Sequence, residues 1–301
     1  MFRRKLFIVY ISCIILITFL VLNPFGNARS RNVILVGWDG VGWDAIQSLL
    51  SKERLPNLKA LISQGKLVSI YKEGATDTKA GWAAVLTGYD PEITGVYSNS
   101  RYQTIPAGYT IFERLEKDFG RKAIITAAFI SKKENLSRER PQGPYATAQA
   151  KTDIFLNDLG NMENVQARVL DFLKEYSDKR FFLFIHYAEP DWMGHTFGEG
   201  SDEMDQAIIA CDAKLGELLK QLKEYKIDTK TLVYVTADHG FDKGAKHHNA
   251  APYVFLATND PTVIRNGLTT DIAPTILVQF GLKLNRIKPP LSGRPLSEES
   301  R

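Results

Sequence analysis

The sequence predicts an α/β fold in which a mostly parallel central sheet lies between helices. Short, continuously apolar segments alternate along the chain with longer segments whose apolar residues recur at helical spacing. The apolar segments lack the polar alternation of half-exposed strands, so they are expected to be buried on both faces, as parallel strands are. The length of 301 residues allows one large α/β domain or two small ones.

The expected elements follow one another along the chain. Strands are predicted at residues 32–37, 66–71, 122–130, 180–187, 231–237 and 253–257. Helices are predicted at residues 43–63, 79–86, 109–119, 163–176, 204–225 and 270–280. The polar, proline-containing stretch 131–158 is expected to be a long loop or a small cap, and residues 89–99 a turn and loop.

Composition excludes some classes of protein. Hydrophobic residues make up 44% and charged residues 24% of the chain, as in ordinary globular proteins. The net charge is +4 and no run of five basic residues occurs, so no nucleic-acid-binding surface is predicted. The two cysteines, Cys13 and Cys211, lie in an apolar segment and a predicted helix, so stability is expected from a core and not from a disulfide. The oligomeric state is left open.

The N-terminus differs from the rest of the chain. A basic cluster, Arg3-Arg4-Lys5, precedes a nearly unbroken apolar run over residues 6–22. This pattern predicts a signal peptide or a membrane anchor within residues 1–30, followed by one catalytic domain over residues 31–301. No clear cleavage site follows, which favours the anchor. Either alternative places the rest of the chain outside the cytoplasm, membrane-anchored or secreted.

Acidic side chains follow three of the predicted strands. Asp39, Asp191 and Asp238 each stand at or just beyond the carboxyl end of an apolar strand, the edge at which α/β sheets bind ligands. All five histidines of the chain lie on or near these strand ends: His186, His195, His239, His247 and His248. Imidazole and carboxylate together suit zinc, and also manganese or iron. The pattern predicts a metal site.

Thr78 opens the predicted helix 79–86 after a polar, glycine-containing turn. Asp77 or Thr78 is expected to cap that helix with a side-chain oxygen. The N-terminus of a helix also favours an anion, so a hydroxyl at this position suits a nucleophile that attacks phosphorus. Taken alone, a threonine here is more often only a cap.

These residues fall into motifs that resemble a known family. The matching segments are residues 37–40, Thr78 with Thr87-Gly88 and Pro91-Glu92, residues 189–195 and 236–240, and the tail 270–277 with Gly293, Pro295 and Leu296. The sequence resembles the alkaline phosphatase superfamily, and specifically its type I phosphodiesterase/nucleotide pyrophosphatase family. The resemblance covers residues 32–296 and implies an alkaline phosphatase-like fold with a minimal cap.

The resemblance also implies roles for individual residues. One divalent ion is expected on Asp39, Thr78, Asp238 and His239, with Thr78 as a nucleophile that becomes transiently phosphorylated. A second ion is expected on Asp191, His195 and a downstream histidine, for which His248 is favoured over His247. Zinc is the default and manganese is possible.

The sequence also departs from the family pattern. The asparagine that usually follows the nucleophile by three residues is Gly81 here, and the next position, often histidine, is Trp82. Asn99 and Lys79 are therefore predicted to bind substrate in its place. The Cys/Ser-x-Pro-x-Arg motif of sulfatases is absent at Thr78, so sulfatase chemistry is not expected.

The resulting expectation is an exported, metal-dependent phosphoric-ester hydrolase, most simply a phosphodiesterase or nucleotide pyrophosphatase. Three alternatives stay open: a phosphomonoesterase, a phosphomutase such as the cofactor-independent phosphoglycerate mutases that share the tail motif, and a membrane-tethered pseudoenzyme that binds metal. The mutase is disfavoured by the export segment and by the lack of a recognisable mutase domain. The sequence does not identify the physiological substrate.

Overall fold

The computed structural model describes residues 32–132, 136 and 143–297. Within them, eight strands form one sheet: β1 (Asn32–Trp38), β2 (Lys66–Tyr71), β3 (Ile125–Ile130), β4 (Ile154–Leu156), β5 (Phe181–Tyr187), β6 (Thr231–Thr236), β7 (Tyr253–Thr258) and β8 (Gly267–Leu268). Their order across the sheet is β4-β3-β5-β1-β6-β7-β2-β8. Only β7 runs antiparallel to its neighbours, β6 and β2. The prediction of a mostly parallel α/β sheet is confirmed.

Ten α-helices cover the sheet within the described residues. They are α1 (Trp43–Ser51), α2 (Pro56–Ile62), α3 (Thr78–Thr87), α4 (Pro91–Thr94), α5 (Ile111–Phe119), α6 (Ala146–Lys151), α7 (Met162–Tyr176), α8 (Glu189–Phe197), α9 (Asp202–Glu224) and α10 (Ile272–Gln279). The capping box at Thr110 and Glu113 fixes the start of α5. Short 3₁₀ turns precede β6 and α10 and follow α10.

The three central strands bring their carboxyl ends into line. β1 pairs in parallel with β5 on one side and β6 on the other, and Gly37 lies opposite both His186 and Thr236. Every residue of these strands is buried, which explains why they appear in the sequence as apolar runs. The residues that follow the three strands therefore meet at one edge of the sheet.

Helix α3 packs unusually close to the central strands. Trp82 is fully buried and contacts Phe184 edge-on, with ring centroids 5.2 Å apart. A Cβ atom at Gly37 would overlap the Trp82 ring, so the glycine in β1 allows this close approach. The contact fixes α3, and with it Thr78, against the edge of the sheet that carries the acidic residues.

Several predicted elements differ from the structure. The single helix expected over residues 43–63 is two helices, because Glu53 has a φ of 55° and Pro56 begins a new helix at its first position. Residues 189–197 form helix α8, which was not predicted. In the stretch expected to be a loop or cap, α6 and the edge strand β4 form instead, and β4 extends the sheet beside β3.

The predicted signal peptide or anchor, residues 1–30, lies outside the described residues, as does Cys13, and stays a prediction. None of the helices within residues 32–132 and 143–297 combines the length and hydropathy that crossing a bilayer requires. Cys211 is a free thiol buried on α9.

Candidate active site

Three carboxylates and one imidazole converge at the carboxyl edge of the sheet. Asp39 follows β1, Asp238 follows β6, and Asp191 lies in the first turn of α8 beyond β5. His239 Nε2 lies 3.7 Å from Asp39 Oδ1, 3.8 Å from Asp191 Oδ1 and 3.4 Å from Asp238 Oδ2. All four side chains are buried. The sheet thus assembles the acids from segments that are far apart in sequence.

Thr78 lies beside this cluster at the first position of α3. Its hydroxyl is 3.2 Å from His239 Nε2 and its side chain is buried. We call Asp39, Thr78, Asp238 and His239 the inner group.

A second set of side chains adjoins the first. Potential ligand atoms of Asp191, His195 and His248 all lie within 4.8 Å of one another, as do those of Asp39, Asp191 and His239. We call Asp191, His195 and His248 the outer group. The His195 and His248 rings are 5.0 Å apart, and the His248 ring stacks on His239 at 4.0 Å.

The structure separates the two neighbouring histidines of the last loop. His248 faces His195 and His239, whereas His247 donates from Nδ1 to Asp242 Oδ2 at 2.9 Å. Of the two alternatives left by the sequence, His248 is the one that joins the outer group.

The start of α3 is tied to the loop that carries Asn99. Asp77 occupies the N-cap position but makes no capping bond to its own helix; its carboxylate accepts from the Asn99 backbone N–H at 2.8 Å. The expectation that Asp77 or Thr78 caps α3 with a side-chain oxygen is therefore wrong: Asp77 makes no such bond, and Thr78 is already the first residue of the helix. Asn99 Oδ1 accepts from the Lys79 backbone N–H at 3.0 Å, and Lys79 Nζ donates to the Asn99 carbonyl at 2.9 Å. Both predicted substrate-binding residues thus lie next to Thr78.

One side chain at the site, Lys132, was missed by the sequence analysis, and His186 was noted only as one of the five histidines near the strand ends, without a role. Lys132, two residues after the end of β3, is buried, and its ammonium lies 2.9 Å from Asp39 Oδ2 and 2.6 Å from Asp191 Oδ2. His186, on β5, donates to the same Asp39 oxygen at 2.8 Å. The sequence contains a clue to each residue, because Lys132 follows a predicted buried strand, as Asp39 does, and His186 interrupts a predicted apolar strand.

These contacts set the charge of the acids. Burial raises the pKa of Asp39, but Lys132 and His186 outweigh it and hold that pKa well below its usual value. At Asp238, burial and the nearby Asp39 carboxylate outweigh the opposing effect of Lys132 and raise its pKa well above its usual value. Burial also lowers the pKa of His239, and burial together with His239 lowers the pKa of His248 to about 4. Both imidazoles are therefore neutral at neutral pH.

The site fits divalent ions. Asp39 Oδ1, Asp191 Oδ1 and Asp238 Oδ2 are buried without a hydrogen-bond partner in the described part of the chain. His239 donates from Nδ1 to the Gly240 carbonyl at 3.0 Å, and His195 from Nδ1 to the Lys246 carbonyl at 2.9 Å. With the proton on Nδ1, the Nε2 of each ring is unprotonated, the arrangement typical of metal-binding histidines. Buried carboxylates that lack donors are costly unless a cation compensates them.

The departures at Gly81 and Trp82 have a packing cause. A Cβ atom at Gly81 would lie 2.5 Å from the Asp238 carbonyl oxygen and 2.6 Å from the Asp238 Cβ, so an asparagine does not fit without a shift. Trp82 points into the core, where it packs on Phe184 and on His186 at 5.5 Å. Neither change removes a residue from the inner or the outer group.

The fold is alkaline phosphatase-like. Alkaline phosphatase from the Antarctic bacterium TAB5 superposes with a TM-score of 0.60, covering 85% of this chain and 99% of that one at 16% identity. An inactive threonine-to-alanine variant of murine ectonucleotide pyrophosphatase/phosphodiesterase 5 in complex with AMP superposes with a TM-score of 0.61, covering 85% and 96% at 15% identity.

Sequence comparison assigns the chain to a family. The type I phosphodiesterase / nucleotide pyrophosphatase family matches residues 33–283, so the chain belongs to that family. Ectonucleotide pyrophosphatase/phosphodiesterase family member 7 of Rattus norvegicus is 24% identical over 72% of this chain and 52% of its own length. The 2,3-bisphosphoglycerate-independent phosphoglycerate mutase of Wolbachia pipientis wMel is 34% identical over 36% of this chain and 22% of its own. The chain thus spans about half the length of these relatives or less.

Proposed function

We propose that this chain is a metal-dependent hydrolase of phosphoric esters that cleaves a phosphodiester or pyrophosphate bond, with Thr78 as its nucleophile. The observation that carries the proposal is the position of the Thr78 hydroxyl, 3.2 Å from His239 Nε2 at a helix N-terminus. His239 Nε2 in turn lies within 3.8 Å of three buried aspartates, each with one oxygen free of hydrogen bonds from the described residues. Membership of a family named for phosphodiesterases and nucleotide pyrophosphatases supports the same activity.

Two divalent ions, zinc by default and manganese as the alternative, are proposed for the two groups. The inner group would hold one ion through Asp39, Thr78, Asp238 and His239, and the outer group the other through Asp191, His195 and His248. When bound, such ions activate a hydroxyl or water and offset charge on the phosphoryl oxygens. Mg is bound in one solved TAB5 alkaline phosphatase variant, which supports divalent ions in this fold without deciding the element.

The protein residues then account for a two-step displacement. The Thr78 oxygen attacks phosphorus, an Oγ–P bond forms, and the bond to the leaving oxygen breaks. The proton that Thr78 loses in this step balances the leaving oxygen. A water molecule next displaces Thr78 from phosphorus: its oxygen stays on the released product, a phosphate monoester when a diester is cleaved, and one of its protons restores the Thr78 hydroxyl. Lys79 and Asn99 are proposed to bind the phosphoryl oxygens, which is supported by their contacts with each other at the start of α3, where the helix N-terminus favours negative charge.

The assay that tests this activity uses the full-length chain in detergent, stripped with chelator and reloaded with zinc or manganese. We expect chelator-sensitive cleavage of bis(p-nitrophenyl) phosphate, lost in Thr78→Ala and retained in Thr147→Ala, a threonine on α6 outside both groups. Preference for p-nitrophenyl phosphate changes the assignment to phosphomonoesterase. Bound metal without cleavage of either ester supports the pseudoenzyme instead.

We also propose that residues 1–30 export the chain and tether it to the membrane, which places the site outside the cytoplasm. The basic cluster followed by an apolar run supports this proposal. Protease digestion of intact cells tests it: an extracytoplasmic domain is degraded once the outer layers of the cell are permeable, and a cytoplasmic domain is protected.

A further inference from the structure

The chain holds the inner and outer groups in different ways. Asp39, Asp238 and His239 of the inner group follow directly from β1 and β6 and are completely buried. In the outer group, the side chain of His195 is 46% exposed, and His248 lies on a surface loop between His239 and β7. The rigid sheet therefore positions the inner group, whereas the outer group needs something else to position its two histidines.

The loop over residues 242–250 is organised around one carboxylate, that of Asp242. Its Oδ1 accepts from the Ala250 backbone N–H at 2.8 Å, and its Oδ2 accepts from the Asn249 N–H at 3.1 Å. Oδ2 also accepts from His247 Nδ1 at 2.9 Å, and the Asp242 N–H donates to the His247 carbonyl at 3.0 Å. A single side chain at the start of the loop thus fixes both residues that flank His248.

The same loop is fastened to the segment that carries His195. The Lys246 carbonyl accepts from His195 Nδ1 at 2.9 Å, which orients the ring. Beyond α8, Glu199 donates its N–H to the Ala245 carbonyl at 2.8 Å and accepts from the Gly244 N–H at 2.8 Å. The loop consequently sets the position of one outer-group histidine and the orientation of the other.

We propose that Asp242 is a positioning residue for the outer cation, because it folds the loop that places His248 and orients His195. This inference rests on the proposed function, since it takes the outer group to be a metal site. The two cations then depend on different structural elements. The inner ion is held by Thr78 and by three residues just beyond strand ends, whereas tight binding of the outer ion depends on the loop that Asp242 closes, to which Thr76 adds a hydrogen bond from its hydroxyl to the His248 carbonyl.

Metal binding by the full-length chain tests this proposal without reference to turnover. Metal-free protein is titrated with Zn²⁺ by calorimetry, and bound zinc is counted after desalting; Co²⁺ absorption gives an independent readout. We expect two ions in the unaltered chain. In Asp242→Ala we expect the inner ion to be retained and the affinity for the outer ion to fall about 10- to 100-fold, the usual effect of losing a residue that orients ligands.

Two variants serve as matched controls. Asp242→Asn keeps an oxygen that accepts from one backbone N–H, so an intermediate affinity is expected and the proposal stays testable if the alanine variant folds poorly. His247→Ala removes the imidazole but leaves both backbone bonds to Asp242, so both ions are expected to bind as in the unaltered chain. Circular dichroism of the metal-free variants checks that the sheet is intact.

Two results overturn the proposal. One is unchanged affinity for both ions in Asp242→Ala, and the other is loss of an ion in His247→Ala, which would make His247 a ligand. If the unaltered chain binds no divalent ion, the proposed function fails instead.

Discussion

The inner and outer groups lie side by side, but they differ in burial and in the structural elements that hold their side chains in position. The inner group uses buried residues that follow parallel strands, together with Thr78 on α3, and Lys132 and His186 compensate the charge of Asp39. The outer group uses one buried carboxylate, a half-exposed histidine and a histidine held by a nine-residue loop. Burial makes the inner group rigid but electrostatically costly without a cation. Because the histidines of the outer group are partly exposed, the electrostatic cost of burial is smaller there, but their side chains are less firmly positioned.

The largest expected effect comes from removing one histidine from each group. We expect His239→Ala to reduce diester hydrolysis on the order of a thousandfold or more, because it removes an inner ligand next to Thr78. His248→Ala is expected to reduce it less at saturating zinc, since excess metal refills the outer site. Equal losses of diester hydrolysis in both variants at saturating zinc would show that the two groups do not differ in this way.

The second prediction concerns Lys132, which contacts an acid of each group. Lys132→Met leaves Asp39 and Asp191 buried without their shared cation, so we expect the metal-free protein to lose about 3–5 kcal/mol of unfolding free energy. Zinc is expected to restore most of the loss. Urea unfolding with and without zinc measures both effects, and Lys132→Arg, which keeps the charge, is the control. A metal-free Lys132→Met protein as stable as the parent contradicts the prediction.

The third prediction uses Lys72, a buried lysine directly after β2 that lacks a comparable pair of acids. Burial lowers the pKa of Lys72 to about 8. A folded-state pKa below the unfolded value of about 10.4 means that the unfolded chain binds the proton more tightly, so stability rises with pH between these values. We expect that rise, at most roughly 3 kcal/mol, to be absent in Lys72→Met. Urea midpoints from pH 7 to 10.5 test it, and parallel pH profiles for the two proteins would refute it.

The smallest expected effect follows from restoring the asparagine of related phosphodiesterases. In Gly81→Asn the new side chain meets the backbone of Asp238, so we expect a loss of about 1–3 kcal/mol in stability and weaker binding of the inner ion, not a gain in activity. Gly42→Asn, at a φ of −78° where a new Cβ would meet no atom closer than 3.5 Å, controls for the substitution itself. Higher diesterase activity in Gly81→Asn would show that the close approach to Asp238 is relieved at no cost.

The features that could be predicted best are those in which a local sequence pattern directly reflects the structure. Buried parallel strands appear as apolar runs, so the strand ends and the convergence of Asp39 and Asp238 could be predicted from the chain alone. Helix α8 was missed because Pro190 and Gly194 interrupt a helical pattern, although proline is well tolerated in a first turn. The break between α1 and α2 depends on the backbone at Glu53, which no periodicity reveals.

The site was predicted less completely than the fold. Lys132 and His186 act through contacts with side chains from other strands, and one sequence does not show which strands are neighbours. The distinction between His247 and His248 depends on a hydrogen bond to Asp242 that spacing cannot supply. The family motifs identified the ligand types, but the catalytic roles of Thr78 and of the two groups stay predictions.

The most direct test of the account is to look for a phosphoryl group on Thr78 during turnover. Zinc-loaded full-length chain is mixed with bis(p-nitrophenyl) phosphate, quenched in acid within the first turnovers, digested and analysed by mass spectrometry. The account predicts phosphorylation of the peptide that contains Thr78, at that residue, and its absence in chelator-treated protein. Continued hydrolysis with no phosphorylated Thr78 at any quench time would contradict it and would indicate that water attacks the ester directly.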